Sequence, residues 1–554
     1  MMKILLVACN AKYIHSNLAV YDLKSYAEEY EKQVVLKEYT INQPKDDILR
    51  DIYLEAPDVL CVSCYIWNIT FVKELMRDLA KILPDTVFWA GGPEVSFDAE
   101  TFLVENPHFT GVMLGEGEET FRELAGYYVE NITKLTEIKG IVFRNNGEIH
   151  NNGWREIMDL SRVPFVYKDL EDFQNRIIYY ESSRGCPFAC SYCLSSVDKK
   201  LRFRDLKLVK RELQFFIDNK VPQVKFVDRT FNCKHDHAVS IWKYIKEHDN
   251  GITNFHFEIS ADLLNEEELE LMSDMRPGLI QLEIGVQSTN PQTIKAIRRT
   301  MNFEKLAGIV NRIHSFGNIH QHLDLIAGLP YEDYNSFRKS FNDVYALKPQ
   351  QLQLGFLKVL KGSFMKEMSE EYGIVHKEQE PYEVLSTRWL SYRDVLKLKT
   401  VENMVEIYYN SGQFQNTLKY VEGFFEDSFS LYERLGEFYE TKGYSSVSHT
   451  RMRRYEILLE FLRTVEGVSE ETVSDRMICD LYLRENLKSR PSFARDQKSC
   501  EKAVWEYRRM KKIPKTAHIE ILADNRVLLF DYTNRDRLTN NASVTDISKE
   551  LECL

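Results

Sequence analysis

The chain has no apolar run that approaches the roughly 20 residues of a membrane-spanning helix. The opening run KILLVAC (3–9) is interrupted by Asn10 and Lys12, so it predicts a buried strand and not a signal peptide. Positive charge is not in excess, since 72 Lys and Arg against 84 Asp and Glu give a net charge of −12. We therefore expect no membrane association, and only a local basic patch could attract nucleic acid.

Cysteine is scarce, with ten residues in 554, and hydrophobic residues make up an ordinary 44%. This composition excludes collagen-like, disordered and disulfide-stapled chains, and the length suggests three or four domains. Few cysteines without a secretory signal predict reduced thiols and a cytoplasmic location. Seven cysteines are scattered along the sequence: Cys9, Cys61, Cys64, Cys233, Cys479, Cys500 and Cys553.

Strand and helix patterns alternate over the first ~130 residues. Regular alternation of apolar strands and helices predicts a parallel sheet covered on both faces, with ligands at the carboxyl ends of the strands. Polar and glycine-rich residues follow the predicted strands at 10–17, 63–68, 91–94 and 115–118. The sequence therefore predicts a ligand site at this edge.

A second series of strands and helices begins near residue 177. Six strands are predicted, within 176–185, 221–231, 255–264, 279–288, 321–330 and 351–360. Six such units in about 190 residues predict an open or closed parallel barrel. Between the two series lies a polar connector, in which Asn145-Asn146-Gly147 predicts a hairpin turn.

The predicted fold class is α/β: a Rossmann-like or flavodoxin-like parallel sheet, a partial (β/α)6 barrel of the TIM type, and a mostly helical C-terminal domain. The predicted domain bounds are 1–135, 136–175 for the connector, 176–370 and 371–554. The last domain contains a late strand pair, 517–524 and 526–533. Its basic run YRRMKKIPK (507–515) is interpreted either as a solvated helix face or as a contact to RNA phosphates.

Three cysteines lie together as C-x3-C-x2-C: Cys186, Cys190 and Cys193, on a loop just after a predicted strand. Structural zinc usually takes four protein ligands, and a four-iron cluster usually takes four cysteines. The next candidates, Cys233 and His235, come about 40 residues later. Three thiolates would leave one iron of a cluster open to a small molecule. The alternative is a zinc site completed by a remote ligand.

The segment CPFACSYC (186–193) at the first strand of a six-unit barrel resembles the radical SAM superfamily. The resemblance implies a [4Fe–4S] cluster on Cys186, Cys190 and Cys193 whose open iron binds S-adenosylmethionine (SAM). One-electron cleavage of SAM would give methionine and a 5′-deoxyadenosyl radical, which takes hydrogen from an unactivated C–H bond. It also implies an electron donor such as a flavodoxin or ferredoxin.

The same resemblance implies SAM contacts on the later strands. Tyr192 would lie near the adenine, Asp228 near the methionine amino group, and Glu258 with Ser260 near the ribose or carboxylate. Further matching segments are LEIGVQSTN (282–290) and LGFLKVL (354–360). The full implied set is Phe188, Tyr192, Asp228, Glu258, Ser260, Gln287, Ser288 and Leu357.

The first sheet resembles the cobalamin-binding domain of cobalamin-dependent radical SAM enzymes, through segments 8–19, 62–68, 90–97 and 114–121. Small residues at these strand ends let the backbone approach a flat macrocycle. No Asp-x-His-x-x-Gly motif occurs, so the implied cobalamin is base-off without a histidine ligand. The alternative is a sheet without ligand that only caps the barrel. The implied contacts are Asn10, Tyr13, His15, Ser63, Tyr65, Gly91, Gly92, Glu94, Glu116 and Gly117.

The last ~180 residues resemble an uncharacterised C-terminal extension of a subgroup of these proteins, and we expect substrate choice to reside there. The whole resemblance implies methylation of an unactivated carbon, or of phosphorus, through methylcobalamin. The first alternative is other radical chemistry, such as cyclisation, rearrangement or methylthiolation, with cobalamin assisting or absent. The second is a redox-sensing or RNA-binding scaffold that is not an enzyme. The substrate stays open among small molecules, lipids, peptides and tRNA.

An auxiliary cluster built from Cys9, Cys61 and Cys64 is disfavoured. Cys61 and Cys64 are three apart on a predicted strand, so their side chains should point to opposite faces of the sheet.

Overall fold

A computed structural model describes residues 2–550 and divides the chain into two units. The first unit comprises Met1–Met272, Ile294–Thr300 and Phe356–Arg388, and the second comprises Ser273–Thr293, Met301–Gly355 and Trp389–Leu554. Cys553 lies outside the described residues. Within 2–550, no helix is both long and apolar enough to cross a membrane.

The N-terminal part of the first unit is a seven-stranded sheet of order β2-β1-β3-β4-β5-β6-β7. Its strands are β1 Ile4–Asn10, β2 Val34–Thr40, β3 Val59–Ser63, β4 Val87–Gly91, β5 Gly111–Met113, β6 Ile141–Asn145 and β7 Glu148–Asn151. Its helices are α1 Leu18–Tyr26, α2 Lys45–Glu55, α3 Ile69–Ile82, α4 Pro93–Ser96, α5 Ala99–Glu105 and α6 Glu118–Glu130. Strands β1 to β5 are parallel, as predicted.

The predicted hairpin of the connector is present and extends this sheet. Strand β6 pairs antiparallel with β5, and β7 pairs with β6 around a turn in which Asn146 and Gly147 have φ of 49° and 87°. The sheet therefore continues to Asn151.

Apolar cores cover both faces of the sheet at its centre, and all seven residues of β1 are buried. Cys9 and Cys64 belong to the apolar core on one face, and Cys61 belongs to the core on the other. Burial raises the pKa of each of these three thiols to about 12. The predicted opposition of Cys61 and Cys64 is confirmed, and all three are neutral packing residues.

The second series of strands and helices has the predicted order. It contains β8 Ile178–Tyr180, β9 Ser183–Arg184, β10 Arg202–Phe203, α7 Leu206–Asp218, β11 Gln223–Phe226, α8 His235–Glu247, β12 Asn254–Ile259, α9 Glu266–Ser273, β13 Ile280–Gln287, α10 Pro291–Ala296, α11 Phe303–Phe316, β14 His320–Ala327, α12 Tyr334–Tyr345 and β15 Gln351–Phe356. In the first unit, β11 pairs in parallel with β8 and with β12. In the second unit, β13 pairs in parallel with β14. The α/β class with a barrel-like second part is confirmed.

The segment after β15 contains α13 Phe364–Glu367, β16 Val375–His376 and β17 Val384–Ser386. It belongs to the first unit and packs on the N-terminal sheet: Tyr382 donates a hydrogen bond to Glu94, and Thr70 donates one of 2.6 Å to Glu380.

The C-terminal part of the second unit is mainly helical, as predicted. It contains α14 Tyr392–Met404, a π-helical turn Val405–Asn410, α15 Gln415–Val421, α16 Ser428–Thr441, α17 Arg451–Leu462, α18 Glu470–Arg484 and α19 Glu501–Met510. The late strand pair is present as β18 His518–Ile521 and β19 Val527–Asp531, and β20 Ser543–Asp546 adds a third antiparallel strand.

Candidate active site

The three clustered cysteines lie on a loop that we call the cluster loop, residues 181–203. It starts at the carboxyl end of β8, and a short ribbon closes it, because Arg184 pairs with Arg202 and Ser183 with Phe203. Gly185 precedes the first cysteine and has φ of +90°. A Cβ added at this position would lie 2.6 Å from the Lys200 carbonyl oxygen. Only glycine fits there without moving the ribbon.

Asp228, at the end of β11, holds the start of this loop. It is 0% exposed, and its carboxylate accepts hydrogen bonds from Ser182 N (2.9 Å), Ser182 Oγ (2.6 Å) and Ser183 Oγ (2.6 Å). Burial raises the pKa of Asp228 to about 7, although these donors oppose the shift. Every buried oxygen of the carboxylate is thus used within the protein.

His237 of α8 completes this buried network. Its Nε2 lies 3.0 Å from Ser182 Oγ. Because the Ser182 hydroxyl hydrogen goes to Asp228, the imidazole must donate from Nε2. Burial lowers the pKa of His237 to about 4, so the ring is neutral near pH 7.

Two of the cysteine sulfurs have hydrogen-bonding neighbours. Cys186 Sγ lies 3.7 Å from Thr230 Oγ1, and Cys190 Sγ lies 3.9 Å from Arg299 Nη1, which also donates to the Tyr192 hydroxyl at 3.3 Å. Burial raises the pKa of the Cys190 thiol, and the Arg299 guanidinium opposes that shift. Donors and positive charge near sulfur favour thiolate, which is the form that binds metal.

Ser191 ties two other segments to the cluster loop. Its N–H donates to the Ile297 carbonyl at 2.9 Å, and its carbonyl accepts from Met365 N at 2.7 Å. The backbone between the second and third cysteines is therefore held by two other segments of the first unit.

Arg184 joins the cluster loop to the N-terminal sheet. It donates to Glu116 and Glu118 at 2.8 Å each and to Glu181 at 2.7 Å, while Arg202 also binds Glu116 at 2.5 Å. Burial alone would raise the pKa of Glu116, but these guanidinium groups hold it below its ordinary value. The acidic Gly-Glu-Gly-Glu turn is thus neutralised by arginines.

The predicted SAM contacts in the first unit differ in their burial and in the hydrogen bonds that they make within the protein. Tyr192 and Phe188 are half-buried on the cluster loop, and Leu357 is buried. Ser260 lies just past β12, where its N–H and carbonyl exchange two 2.9 Å hydrogen bonds with the Asn232 side chain. Glu258 lies on β12 itself, half-buried.

Gln287 and Ser288 lie at the end of β13 in the second unit. Gln287 has φ of 74°, and the pairing of β13 with β14 shifts register there. Its buried Oε1 accepts no hydrogen bond from any residue of 2–550, whereas the Ser288 hydroxyl donates to Glu332 at 2.6 Å. A strained backbone with a buried acceptor left open is typical of ligand sites.

The predicted cobalamin edge is organised by Glu38 of β2. Its carboxylate accepts from Asn10 Nδ2 (2.8 Å), Asn17 N (2.8 Å) and Tyr21 OH (2.6 Å), and pairs with Arg176 at 2.5 Å. Glu38 therefore fixes the loop 10–17. Asn10 is buried and directed into the protein.

Other predicted cobalamin residues also have partners within the first unit. His15 Nδ1 lies 2.6 Å from the Tyr179 hydroxyl, and Ser63 Oγ accepts from Asn17 at 3.2 Å. Glu94 accepts from Tyr382 and pairs with Lys361 at 3.3 Å. Gly91 ends β4, and Gly117 precedes α6.

Gly92 is required by the fold itself. It has φ of +118°, and an added Cβ would lie 2.5 Å from the Cys64 carbonyl oxygen. The double glycine thus lets the turn after β4 approach the end of β3.

Large aromatic side chains stay exposed around this edge. Trp67 is 44% exposed and stacks on Tyr65, with ring centroids 4.4 Å apart and planes 10° apart. Tyr13 is 61% and Trp154 53% exposed. Exposed aromatic surface at a strand-end edge fits a flat apolar ligand.

Sequence reasoning missed the residues that position this site. Glu38, Thr230, Asn232 and Arg299 belong to no recognisable spacing, and their contacts arise only when distant segments meet. The one available signal was for Arg184, which directly precedes Gly185-Cys186.

Comparisons with known proteins cover consecutive parts of the chain. Family models match as "B12 binding domain" at residues 4–125, "Radical SAM superfamily" at 180–344 and "Protein of unknown function (DUF4080)" at 370–544.

Two curated relatives are methyltransferases. The cobalamin-dependent radical SAM methyltransferase TokK of Streptomyces tokunonensis is 24% identical over 378 residues, covering 64% of this chain and 55% of that protein. The 2-(S-pantetheinyl)-carbapenam-3-carboxylate methyltransferase of Streptantibioticus cattleyicolor is 25% identical over 303 residues, covering 51% and 44%. The chain spans about half the length of these relatives.

Two solved structures share the fold. The radical SAM methyltransferase TsrM from Kitasatospora setae, with cobalamin and [4Fe–4S] cluster bound, superposes with a TM-score of 0.57 at 17% identity, covering 68% of this chain and 76% of that one. The cobalamin-dependent SAM radical enzyme OxsB, with aqua-cobalamin and SAM bound, gives 0.61 at 15% identity, covering 86% and 78%.

Proposed function

Because the chain belongs to the radical SAM proteins that carry a B12-binding domain, we propose that it is a cobalamin-dependent radical SAM methyltransferase. The observation that carries the proposal is one contact: Arg184 of the cluster loop binds Glu116 at the aromatic-rich edge of the N-terminal sheet. This contact joins the proposed cluster site to the proposed cobalamin site, and both lie in the first unit.

Cys186, Cys190 and Cys193 would hold the [4Fe–4S] cluster. The donor set fits, since three thiols in eight residues have the Thr230 hydroxyl and the Arg299 guanidinium beside their sulfurs. When bound, the cluster and SAM supply a 5′-deoxyadenosyl radical, and cobalamin supplies a methyl carrier. The chain's own residues orient these groups and exclude water.

Gln287 is the predicted SAM contact with the strongest support, because its buried Oε1 is open. Tyr192 would lie near the adenine. We propose that Asp228 positions the cluster loop instead of binding SAM, since its oxygens already accept three hydrogen bonds. For the other predicted SAM contacts the assignment stays a proposal: Phe188, Glu258, Ser260, Ser288 and Leu357.

Tyr13, Tyr65, Trp67 and Trp154 would cover the corrin ring of cobalamin, which fits their exposure. Buried, hydrogen-bonded or ion-paired residues of this edge would position its loops: Asn10, Ser63, Glu94 and Glu116. Gly91, Gly92 and Gly117 would let the backbone come close. His15 is held by Tyr179, and we propose base-off cobalamin without a histidine ligand.

We propose residues 1–135 as the cobalamin-binding domain, 136–175 as connector, 176–370 as the radical SAM barrel and 371–554 as the part that selects the substrate. An oxygen-sensitive cluster and reduced thiols fit a cytoplasmic location. A flavodoxin or ferredoxin would supply the electron.

The test is anaerobic reconstitution with iron, sulfide and cobalamin, followed by SAM and dithionite. We expect 5′-deoxyadenosine together with S-adenosylhomocysteine. Cys190→Ala should lose the cluster absorbance and both products, while Cys500→Ala, a thiol outside the cluster loop, should keep them. An intact cluster that releases neither product would contradict the proposal, and 5′-deoxyadenosine without S-adenosylhomocysteine would point to radical chemistry without methyl transfer.

A further inference from the structure

Positive charge is concentrated in one stretch of the second unit. Residues 486–515 contain ten Lys and Arg against three Asp and Glu, in a chain whose net charge is −12. The basic run YRRMKKIPK (507–515) ends this stretch, and the proposed function does not use it. A local positive field of this kind attracts polyanions although the whole chain is acidic.

Helix α19 in this stretch packs on the C-terminal sheet through its apolar side. Tyr507 is 5% exposed and belongs to an apolar cluster with Ile519 of β18 and Val527 of β19, and Val504 packs against the same cluster. An amphipathic helix that lies on a membrane places its apolar side in the lipid. In α19 that side is already covered by the sheet.

The opposite side of α19 carries three residues that we call the basic stripe: Lys502, Trp505 and Arg509. They are spaced i, i+3 and i+7, so they follow each other along one side of the helix. Lys502 and Arg509 are exposed, and Trp505 is 58% exposed. The Arg509 guanidinium carbon lies 5.0 Å from the centre of the Trp505 ring, which places both side chains on the same surface.

The cations of the basic stripe are available to a ligand. Within residues 2–550, no acid forms an ion pair with Lys502 or Arg509. The two acids of α19, Glu501 and Glu506, are exposed but do not reach ion-pair distance from the stripe. Two further exposed cations follow on the next loop: Lys512 and Lys515.

We propose that the basic stripe binds single-stranded RNA. An unpaired base stacks on the Trp505 ring, and the phosphates on either side of it pair with Lys502 and Arg509. The inference goes beyond the proposed function and does not rest on it, because this binding needs neither the cluster nor cobalamin.

The chemistry of the basic stripe fits such a partner. Proteins that bind single strands combine cations along the nucleic-acid backbone with aromatic rings on which the bases stack. RNA presents unpaired bases in its loops, whereas the bases of duplex DNA are stacked inside the double helix. A helix face that is only solvated needs charge, but it gains nothing from an exposed indole between its cations.

The test measures binding of a fluorescein-labelled oligouridine to the reconstituted holoenzyme by fluorescence anisotropy at several salt concentrations, without SAM or reductant. Lys502→Gln/Arg509→Gln should weaken binding about tenfold or more at low salt. It should also lower the slope of log affinity against log salt by about 1.4, because two phosphate contacts are lost. Trp505→Ala should weaken binding about tenfold and leave that slope unchanged, because it removes stacking and no charge. Trp505→Phe should restore most of the binding, since phenylalanine keeps a ring.

The matched control is Lys419→Gln/Lys442→Gln, which removes the same charge from exposed lysines on α15 and directly after α16 of the second unit. It should bind RNA like the wild type. Because every substituted side chain is exposed, the urea midpoints of all these variants should stay at the wild-type value.

A wild type that binds no oligouridine at low salt would overturn the proposal, and so would equal weakening by the stripe variants and the control. Equal binding of the same strand annealed to its complement, unchanged in Trp505→Ala, would also overturn it, since only charge would then be recognised. Tighter binding to phosphatidylglycerol vesicles than to RNA, lost in the stripe variants, would assign the basic stripe to a membrane surface instead.

Discussion

Arg184 and Glu116 join the cluster loop to the N-terminal sheet through a 2.8 Å ion pair that solvent hardly reaches. Arg184 lies two residues before Cys186, the first cysteine of the loop. Removing one partner of such a pair leaves the other charge without compensation in a poorly solvated place.

Glu116→Gln should reduce the free energy of unfolding by roughly 1–3 kcal/mol, because Arg184 keeps Glu118 and Glu181 but loses one charged acceptor. Urea unfolding measures this. Weaker contact between the cluster loop and the N-terminal sheet should also raise the ratio of 5′-deoxyadenosine to S-adenosylhomocysteine. Methyl transfer depends on precise placement of the two cofactor sites relative to each other. Glu119→Gln is the control, because Glu119, also on α6, pairs with Arg155 and Arg162 instead of Arg184. The same ratio in both variants would argue against a positioning role.

His237 should make stability depend on pH. Its pKa is about 4 in the folded chain and near 6.5 when unfolded, so the unfolded state gains a proton first as pH falls. The stabilisation is complete above pH 6.5 and is lost toward pH 4, by about 2 kcal/mol between pH 7 and 5.

His237→Gln can still donate to Ser182 but does not titrate, and Asp228 is present in both proteins. Denaturant midpoints of the wild type and the variant should therefore converge as pH falls from 7 to 5. A constant gap between them over this range would refute the neutral, buried imidazole.

Arg299→Gln should make the cluster harder to reduce. The Arg299 guanidinium places a positive charge and a hydrogen-bond donor 3.9 Å from Cys190 Sγ, and both stabilise the reduced cluster. The substitution removes both. We expect the midpoint potential to fall on the order of 50 mV, close to a tenfold change in a one-electron equilibrium. Redox titration followed by electron paramagnetic resonance measures it. Arg298→Gln, one residue away and exposed, should leave the potential nearly unchanged, and an equal fall there would contradict the specific role.

Trp67→Ala should weaken cobalamin binding about tenfold, because stacked aromatic surface is lost from the edge of the sheet. Unfolding should change little, since Trp67 is exposed. Corrinoid absorbance after gel filtration reports retention. Trp505→Ala removes another exposed tryptophan, on α19 of the second unit. If both variants keep cobalamin equally well, the exposed aromatics do not form its site.

The periodicity of apolar residues was sufficient to predict the order of the elements. Buried parallel strands are nearly continuous apolar runs, as in β1, and such runs can be recognised without tertiary information. The pairing of β6 with β5 could not be predicted, because a hairpin turn specifies its own two strands and not the edge they join. For the same reason, the connector was separated from a sheet that it extends.

The cluster loop could be predicted from the spacing of its cysteines, whereas the residues that position the site could not. Arg299 lies more than a hundred residues after Cys190, and Glu38 lies far from Arg176 in the sequence. The sequence also did not distinguish which of the residues at the strand ends are buried and which are exposed. Burial decides that Asn10 is directed inward while Trp67 stays open, and burial follows from packing that no local pattern encodes.

Gly185 makes the site sensitive to a change of a single methyl group. Even alanine at this position would push against the Lys200 carbonyl and open the ribbon, although every sulfur and every charged partner would still be encoded. Inactivating lesions in this protein should therefore include one at a residue that carries no chemistry at all.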